Sequence, residues 1–292
     1  MDVLVKGMSA DQGLLVVGLV DTDLVERARM LHDTYPTASA AFGRIISGAL
    51  LLSSLLKEGQ KLMVQVVGEG PLKEVVAEAD WKGRVRGYVY KPHVHLGLKE
   101  GKLDVGRAFG NGYLNVIKDL GLRDRYQGSV PLQTGEIATD LAYYLRTSEQ
   151  IPAAVSLGVH VDTDNAVKAS GGFMIHALPD ATDEVLEYLE ERLKGVRPVS
   201  SMILEGAGPK EILDEALGLP YDIIETKEVM YFCPCSKGRV LDALAALGRQ
   251  DIEEMVRKGE TVEIQCQFCK TEYAATKDEL LSLLEERGGA EG

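Results

Sequence analysis

All four cysteines of the 292-residue chain fall in two tight pairs near its C-terminal end: "MYFCPCSKGRVL" (230–241) carries Cys233 and Cys235, and "IQCQFCKTEY" (264–273) carries Cys266 and Cys269. A C-x-C and a C-x-x-C pair separated by 30 residues (236–265) constrain the fold more than any other feature here. Each spacing makes two sulfurs converge within one turn, and the intervening stretch is long enough to bring the second pair back to the first. Four thiolates with no open position make a closed tetrahedral site of the kind structural Zn²⁺ prefers. An iron–sulfur centre and metal-free thiols are the other readings of the same spacing. With no basic n-region and apolar core at the N-terminus, we read the chain as cytosolic, and cytosolic thiols are kept reduced, which favours metal or redox chemistry over a permanent disulfide framework.

The rest of the terminal module is predicted as a strand, the "CPCS" turn, helices around "VLDALAAL" and "DIEEMVRK", strand "TVEIQC", the "QFC" turn, strand "EYAA" and a last helix "KDELLSLLEER". About 60 residues make a thin core, for which a metal staple is the usual supplement. The C-x-C pair adds lability, because a disulfide between neighbours so close closes a strained ring, and strained disulfides are the easily exchanged ones. Lys237, Arg239 and Lys270 lie close in sequence and favour thiolate over thiol. A thioredoxin-like C-x-x-C opens a helix, whereas "CQFCKTEYAA" runs into a strand.

Upstream, short Val- and Leu-rich runs bounded by Gly, Asp and Pro alternate with a few helices. Strands are predicted at "VLVKG", "GLLVVGLV", "KLMVQVVG", "LKEVVAEA", "RVRGYVY" and at 112–118, 127–134, 154–162 and 166–177. Helices are predicted at "DLVERARMLHDT", stopped by Pro36; at "ASAAFGRIISGALLLSSLLKEG", opened by Thr37 and ended by Gly59; and near "IATDLAYYLRT". Such a series gives an α+β domain with largely antiparallel sheets over residues 1–178. Past Pro179 the amphipathic "TDEVLEYLEERLKG", "PVSSMILEGAG" and "PKEILDEALG" predict a helical linker over 179–228, leaving 229–292 as the small zinc-binding α+β module.

Other features carry less. The longest apolar run, 45–56, is too short for a bilayer span of about 20 residues, so no membrane partner is expected. A net charge of −13, with 9 Lys or Arg against 14 Asp or Glu from Glu225 onward, argues against nucleic acid. His93 and His95, two apart on a predicted strand, lack a third ligand and read as surface or packing residues. "GEGP", "AFGNG" and "ASGGF" lack any phosphate-loop context and read as turns. No catalytic constellation appears, so an enzyme is not expected.

The two cysteine motifs, together with "YPTASAAFGR", "GEGPL", "GKLDVGRAFGNGYLNVIKDLGL", "GSVPLQTGEIATDLAYYLRTSEQIP" and "SGGFMIHALP" in that order, resemble the redox-regulated 33 kDa heat shock protein family of holdase chaperones over essentially the whole chain. Ser170 and His176 depart from that pattern, where Ala and Gln are expected. The resemblance implies a reduced form holding one Zn²⁺ on Cys233, Cys235, Cys266 and Cys269 and inactive as a chaperone. It implies that peroxide or hypochlorous acid, helped by heat, links Cys233 to Cys235 and Cys266 to Cys269, releases the metal, and loosens module and linker to uncover apolar surface. It further implies unfolded clients as partners, an oxidised homodimer, and ATP-driven chaperones downstream. A constitutive zinc-ribbon module for protein or nucleic acid is the alternative, and a disulfide oxidoreductase a third.

Overall fold

The computed structural model describes residues 2–259 and 261–288, and the chain divides into two compact units, Met1–Phe232 and Cys233–Gly292. The first unit is organised around one helix that is apolar on every side. Helix α2 (Pro36–Ser53), reached from β1 (Val3–Ser9), β2 (Leu14–Val20) and α1 (Thr22–His32), buries sixteen of its eighteen residues. A helix hydrophobic all round has no solvent face and must be enclosed. Two antiparallel sheets enclose it, which is the expected α+β architecture.

One sheet contains β3 (Lys61–Gly68), β4 (Glu74–Asp80), β5 (Arg84–Val89), β8 (Gly112–Asp119), β9 (Tyr126–Pro131) and the two-residue β13 (Met230–Tyr231), in the order β13-β5-β4-β3-β8-β9; only β13 runs parallel to its neighbour. The small hairpin of β6 (Leu98–Lys99) and β7 (Lys102–Leu103) and helix α3 (Val105–Phe109) lie between β5 and β8 in the chain. After α4 (Ala138–Ser148), β10 (Ala153–Val161) and β11 (Val167–Ala177) complete the second sheet, of order β10-β11-β2-β1-β12, with β12 at Asp222–Glu228. The core around α2 joins Phe42, Ile45, Ile46 and Leu50 to Val64, Val75 and Val116. On the other face of the five-stranded sheet, α5 (Asp183–Leu193), α6 (Val199–Leu204) and α7 (Pro209–Leu217) bury Leu189, Met202, Ile212 and Leu213 against Val16, Phe173 and Ile175.

Several local expectations are corrected. Helix α1 stops before Pro36: Asp33 takes the left-handed conformation (φ 49°) and its N–H returns to the carbonyls of Arg29 and Met30, while Pro36 opens α2. Helix α2 ends at Ser53 rather than Gly59. The hydroxyls of Ser53 and Ser54 donate to the carbonyls of Leu50 and Leu51 (2.8 and 2.6 Å), and the chain tightens into i→i+3 turns beyond them. "ASGGF" is not a turn but the middle of β11. A Cβ on Gly171 would stand 2.3 Å from the Leu19 carbonyl oxygen, so the strand crosses its neighbours only without a side chain there. Residues 222–228, expected within a helical linker, form strand β12 against β1, and residues 229–232 belong to the first unit. Among the described residues, no helix is long and apolar enough to cross a membrane.

The second unit contains α8 (Lys237–Ala245), α9 (Arg249–Lys258), the hairpin β14 (Val262–Gln265) and β15 (Glu272–Ala275), and α10 (Lys277–Gly288). Among the described residues its buried apolar side chains are Leu244, Ile252, Ala275 and Leu280, with others such as Leu241, Met255 and Val262 partly buried against them.

Candidate metal centre

Local structure delivers the four sulfurs to one point. Cys233 and Cys235 lie in extended chain immediately before α8, whose first turn is capped by Ser236, its hydroxyl accepting from the Arg239 N–H (3.4 Å). Cys266 and Cys269 occupy the turn between β14 and β15. That turn is closed by the Cys266 N–H donating to the Thr271 carbonyl and the Lys270 N–H to the Cys266 carbonyl, both 2.9 Å, with Lys270 in the left-handed region. The four Sγ atoms lie within 4.8 Å of one another. Across the two motifs, Cys233 and Cys266 are 3.8 Å apart, and Cys235 and Cys269 are 3.2 Å apart.

A tetrahedral cation about 2.3 Å from four sulfurs separates neighbouring sulfurs by about 3.8 Å. The cluster therefore fits a zinc-sized ion with little adjustment, and the four cysteines can hold a metal. All four are half-buried, so the charge of a tetrathiolate is partly screened by solvent.

The protons tell the same story. Burial pushes the Cys235 thiol up to about 12, reinforced by the sulfurs of Cys269 and Cys233. Burial opposes ionisation of Cys269 too, yet the Thr271 hydroxyl (3.2 Å), the Thr271 backbone and the sulfurs of Cys235 and Cys266 hold it down to about 6. Of this adjacent pair, Cys269 is the sulfur that ionises more readily and Cys235 the one that keeps its proton. A cation held by the four sulfurs would displace the protons remaining on the thiols, since metal binding to thiols releases protons. The α8 N-terminus next to Cys235 favours the charged sulfur as well. Lys237 contributes less than its position promises, because its ammonium pairs with Glu279 (2.6 Å).

Two neighbours escape notice in the sequence. The Tyr273 hydroxyl stands 3.0 Å from Cys235 Sγ, and that contact, with burial, pushes the phenol up to about 12, so it remains a donor to the sulfur. Thr271 acts similarly on Cys269. Both follow the C-x-x-C motif by two and four residues in "CKTEY", and the hairpin return is what turns them towards the sulfurs. His93 and His95 are not on a strand; they lie in irregular chain, with His93 stacked on Tyr35 and 2.9 Å from Asp33. Among the described residues, the cysteine quartet is the one group of metal-ligating type drawn together.

Comparison with known proteins places this geometry. Residues 2–276 match the family described as Hsp33 protein. The "33 kDa chaperonin" of Thermodesulfovibrio yellowstonii is 55% identical over 286 residues, 98% of this chain and all of that one. The protein of the same name from Bacillus subtilis is 44% identical over 98% of this chain and 99% of its own. The crystal structure of the 33 kDa chaperonin (heat shock protein 33 homologue) of Thermotoga maritima superposes with a TM-score of 0.90 at 35% identity, covering 99% of both chains. With the fold, the cysteine quartet and the full-length similarity in agreement, the chain belongs to the Hsp33 family.

Proposed function

We propose that the protein is an ATP-independent holdase chaperone of the cytosol, held inactive while Cys233, Cys235, Cys266 and Cys269 bind one Zn²⁺ and activated when they are oxidised. The observation that carries this reading is a four-sulfur cluster in a unit that, among the described residues, buries only four apolar side chains. The family supports the chaperone role, and the cluster supports zinc.

The sulfurs are the sensors. Each disulfide takes two electrons from a pair of thiols; one peroxide accepts them, with two protons, and leaves as two waters. Linking Cys233 to Cys235 and Cys266 to Cys269 therefore consumes two peroxides. A disulfide sulfur carries no charge, so the cation site is lost with the thiolates, and a core of four residues does not hold the unit together alone. In this reading residues 1–178 form the chaperone domain, 179–228 link it to the switch and end in β12, and the redox switch is built on the unit that starts at Cys233. Unfolded polypeptides bind the oxidised form, which dimerises and passes them to ATP-driven chaperones after reduction.

The test is zinc content and free thiol count before and after peroxide at raised temperature, paired with an aggregation assay. About one zinc per chain, lost together with four thiols as aggregation suppression appears, supports the proposal. Complete oxidation and zinc loss without any gain in client binding overturns it. Tight, salt-sensitive nucleic-acid binding by the reduced form would instead mark a constitutive zinc module.

A further inference from the structure

The two main sheets expose four edge strands, and three are built to discourage pairing. Strand β12, "DIIETKE", carries four charged residues; β9 ends in Pro131; β13 is two residues long. Charges, proline and shortness are the usual means by which sheets avoid recruiting another chain. Strand β10 has none of them. Its nine residues, "AAVSLGVHV", include no Lys, Arg, Asp, Glu or Pro, and its one irregularity falls at the far end, between His160 and Val161. It pairs with β11 on one side only, and among the described residues the backbone of 153–161 makes no hydrogen bond outside that ladder.

Open space lies along that edge. A cleft of about 770 Å³ follows residues 154–161, and a second of about 390 Å³ meets the same strand at 155–157; the β6–β7 hairpin lines both, and residues 196–201 form a further wall of the larger one. Alternate side chains Val155, Leu157 and Val159 pack inward on the α2 core, so the strand is held rigid while its edge stays unpaired. In a chain of net charge −13, the larger cleft is lined by Arg44, Lys102, His160 and Arg197 and by no carboxylate, while Glu100, Asp104 and Glu136 line the smaller one. Arg44 pairs with Glu136, and Arg197 with Glu205 and Glu215, while Lys102 makes no ion pair among the described residues.

We propose that the edge of β10 is a client-docking surface, on which an extended apolar segment of an unfolded polypeptide, flanked by a carboxylate that meets Lys102, adds as a sixth strand. The inference rests on the holdase reading and deepens it. A holdase takes chains of unrelated sequence, and the one feature all of them share is a backbone with free N–H and C=O groups. Strand addition satisfies those groups whatever the side chains are, and a rigid edge supplies them at little ordering cost.

Hydrogen exchange on the oxidised full-length chain, with and without reduced, carboxymethylated α-lactalbumin as unfolded client, tests this directly. Amides within 153–161 are expected to slow when client is added. Ser156, which lines both clefts, gives the variant Ser156→Lys, which places on β10 the blunting charge the other edge carries. It is expected to weaken client binding about tenfold, equivalent to about 1.4 kcal/mol, with zinc release on oxidation unchanged. Client bound with exchange in 153–161 unaltered overturns the inference while leaving the holdase reading intact; no client bound at all overturns the holdase reading. Protection of 153–161 that follows the protein's own concentration and needs no client assigns the edge to a second copy and also overturns it. Because the exchange measurement uses the unsubstituted chain, a poorly folded variant does not spoil the test.

Discussion

Removing the metal from the reduced protein should unfold residues 233–288 and leave the first unit intact. Of the four apolar side chains buried in the second unit among the described residues, three are large: Leu244, Ile252 and Leu280. At about 1.5–3 kcal/mol each they supply roughly 5–9 kcal/mol of burial. A structural tetrathiolate zinc supplies about 10–16 kcal/mol, as much as the whole net stability of an ordinary domain at about 5–15 kcal/mol. Partly covered side chains such as Leu241, Met255 and Val262 add to that core, but losing a metal contribution as large as a domain's whole net stability should still tip this unit into the unfolded state. The first unit has two large apolar clusters and holds none of the cysteines, so chelation does not touch it. The chain offers a built-in control: its single tryptophan, Trp81, sits between β4 and β5 in the first unit. After chelation under reducing conditions, amide protection in α9 and α10 should vanish while Trp81 fluorescence and its thermal transition stay put. Slow-exchanging amides across 233–288 in metal-free, reduced protein would refute the reasoning, since the thin core would then suffice.

Two further outcomes follow from the first unit. The buried Tyr231 hydroxyl donates to the Gly87 carbonyl (2.9 Å) and accepts from the Gly87 N–H (3.3 Å), so Tyr231→Phe strands a backbone donor and acceptor and should cost about 1–3 kcal/mol, read by urea unfolding followed at Trp81. Asp21 is completely buried, with Ser47 donating to it (2.8 Å), and burial pushes its carboxyl from 3.8 up to about 7. The folded state therefore holds this proton more tightly than the unfolded chain, so its stabilising contribution is complete below about pH 4 and is lost as pH rises through about 7. Asp21→Asn should gain stability relative to the parent between pH 5 and pH 8; an unchanged difference in urea midpoints would show that Asp21 does not titrate there.

Much of the fold is legible in local pattern because its elements are locally determined. β3 and β5 alternate buried side chains with more accessible ones at period two, and α2 is apolar enough to require enclosure. The candidate site is legible for a stronger reason: C-x-C and C-x-x-C restrict where sulfurs can point before any tertiary contact forms. The misreadings share one cause. β12 lies at a sheet edge with charged, exposed residues, so no burial pattern marks it, and it becomes a strand only because β1 offers a partner more than two hundred residues upstream. The glycines of "ASGGF" look like a turn because glycine permits one; the approach of the Leu19 carbonyl makes them a strand crossing instead.

By itself the sequence determined the four cysteines that can hold a metal, the small module around them, the α+β class and the family. Tertiary structure alone decided that Tyr273 and Thr271 reach the sulfurs, that the chain just before Cys233 is anchored by Tyr231 on β5, and that β10 is left with an open edge. The division is physical. Spacing along the chain fixes what neighbours in sequence can do together, whereas strand partners and sheet edges depend on segments brought together only when the whole domain closes.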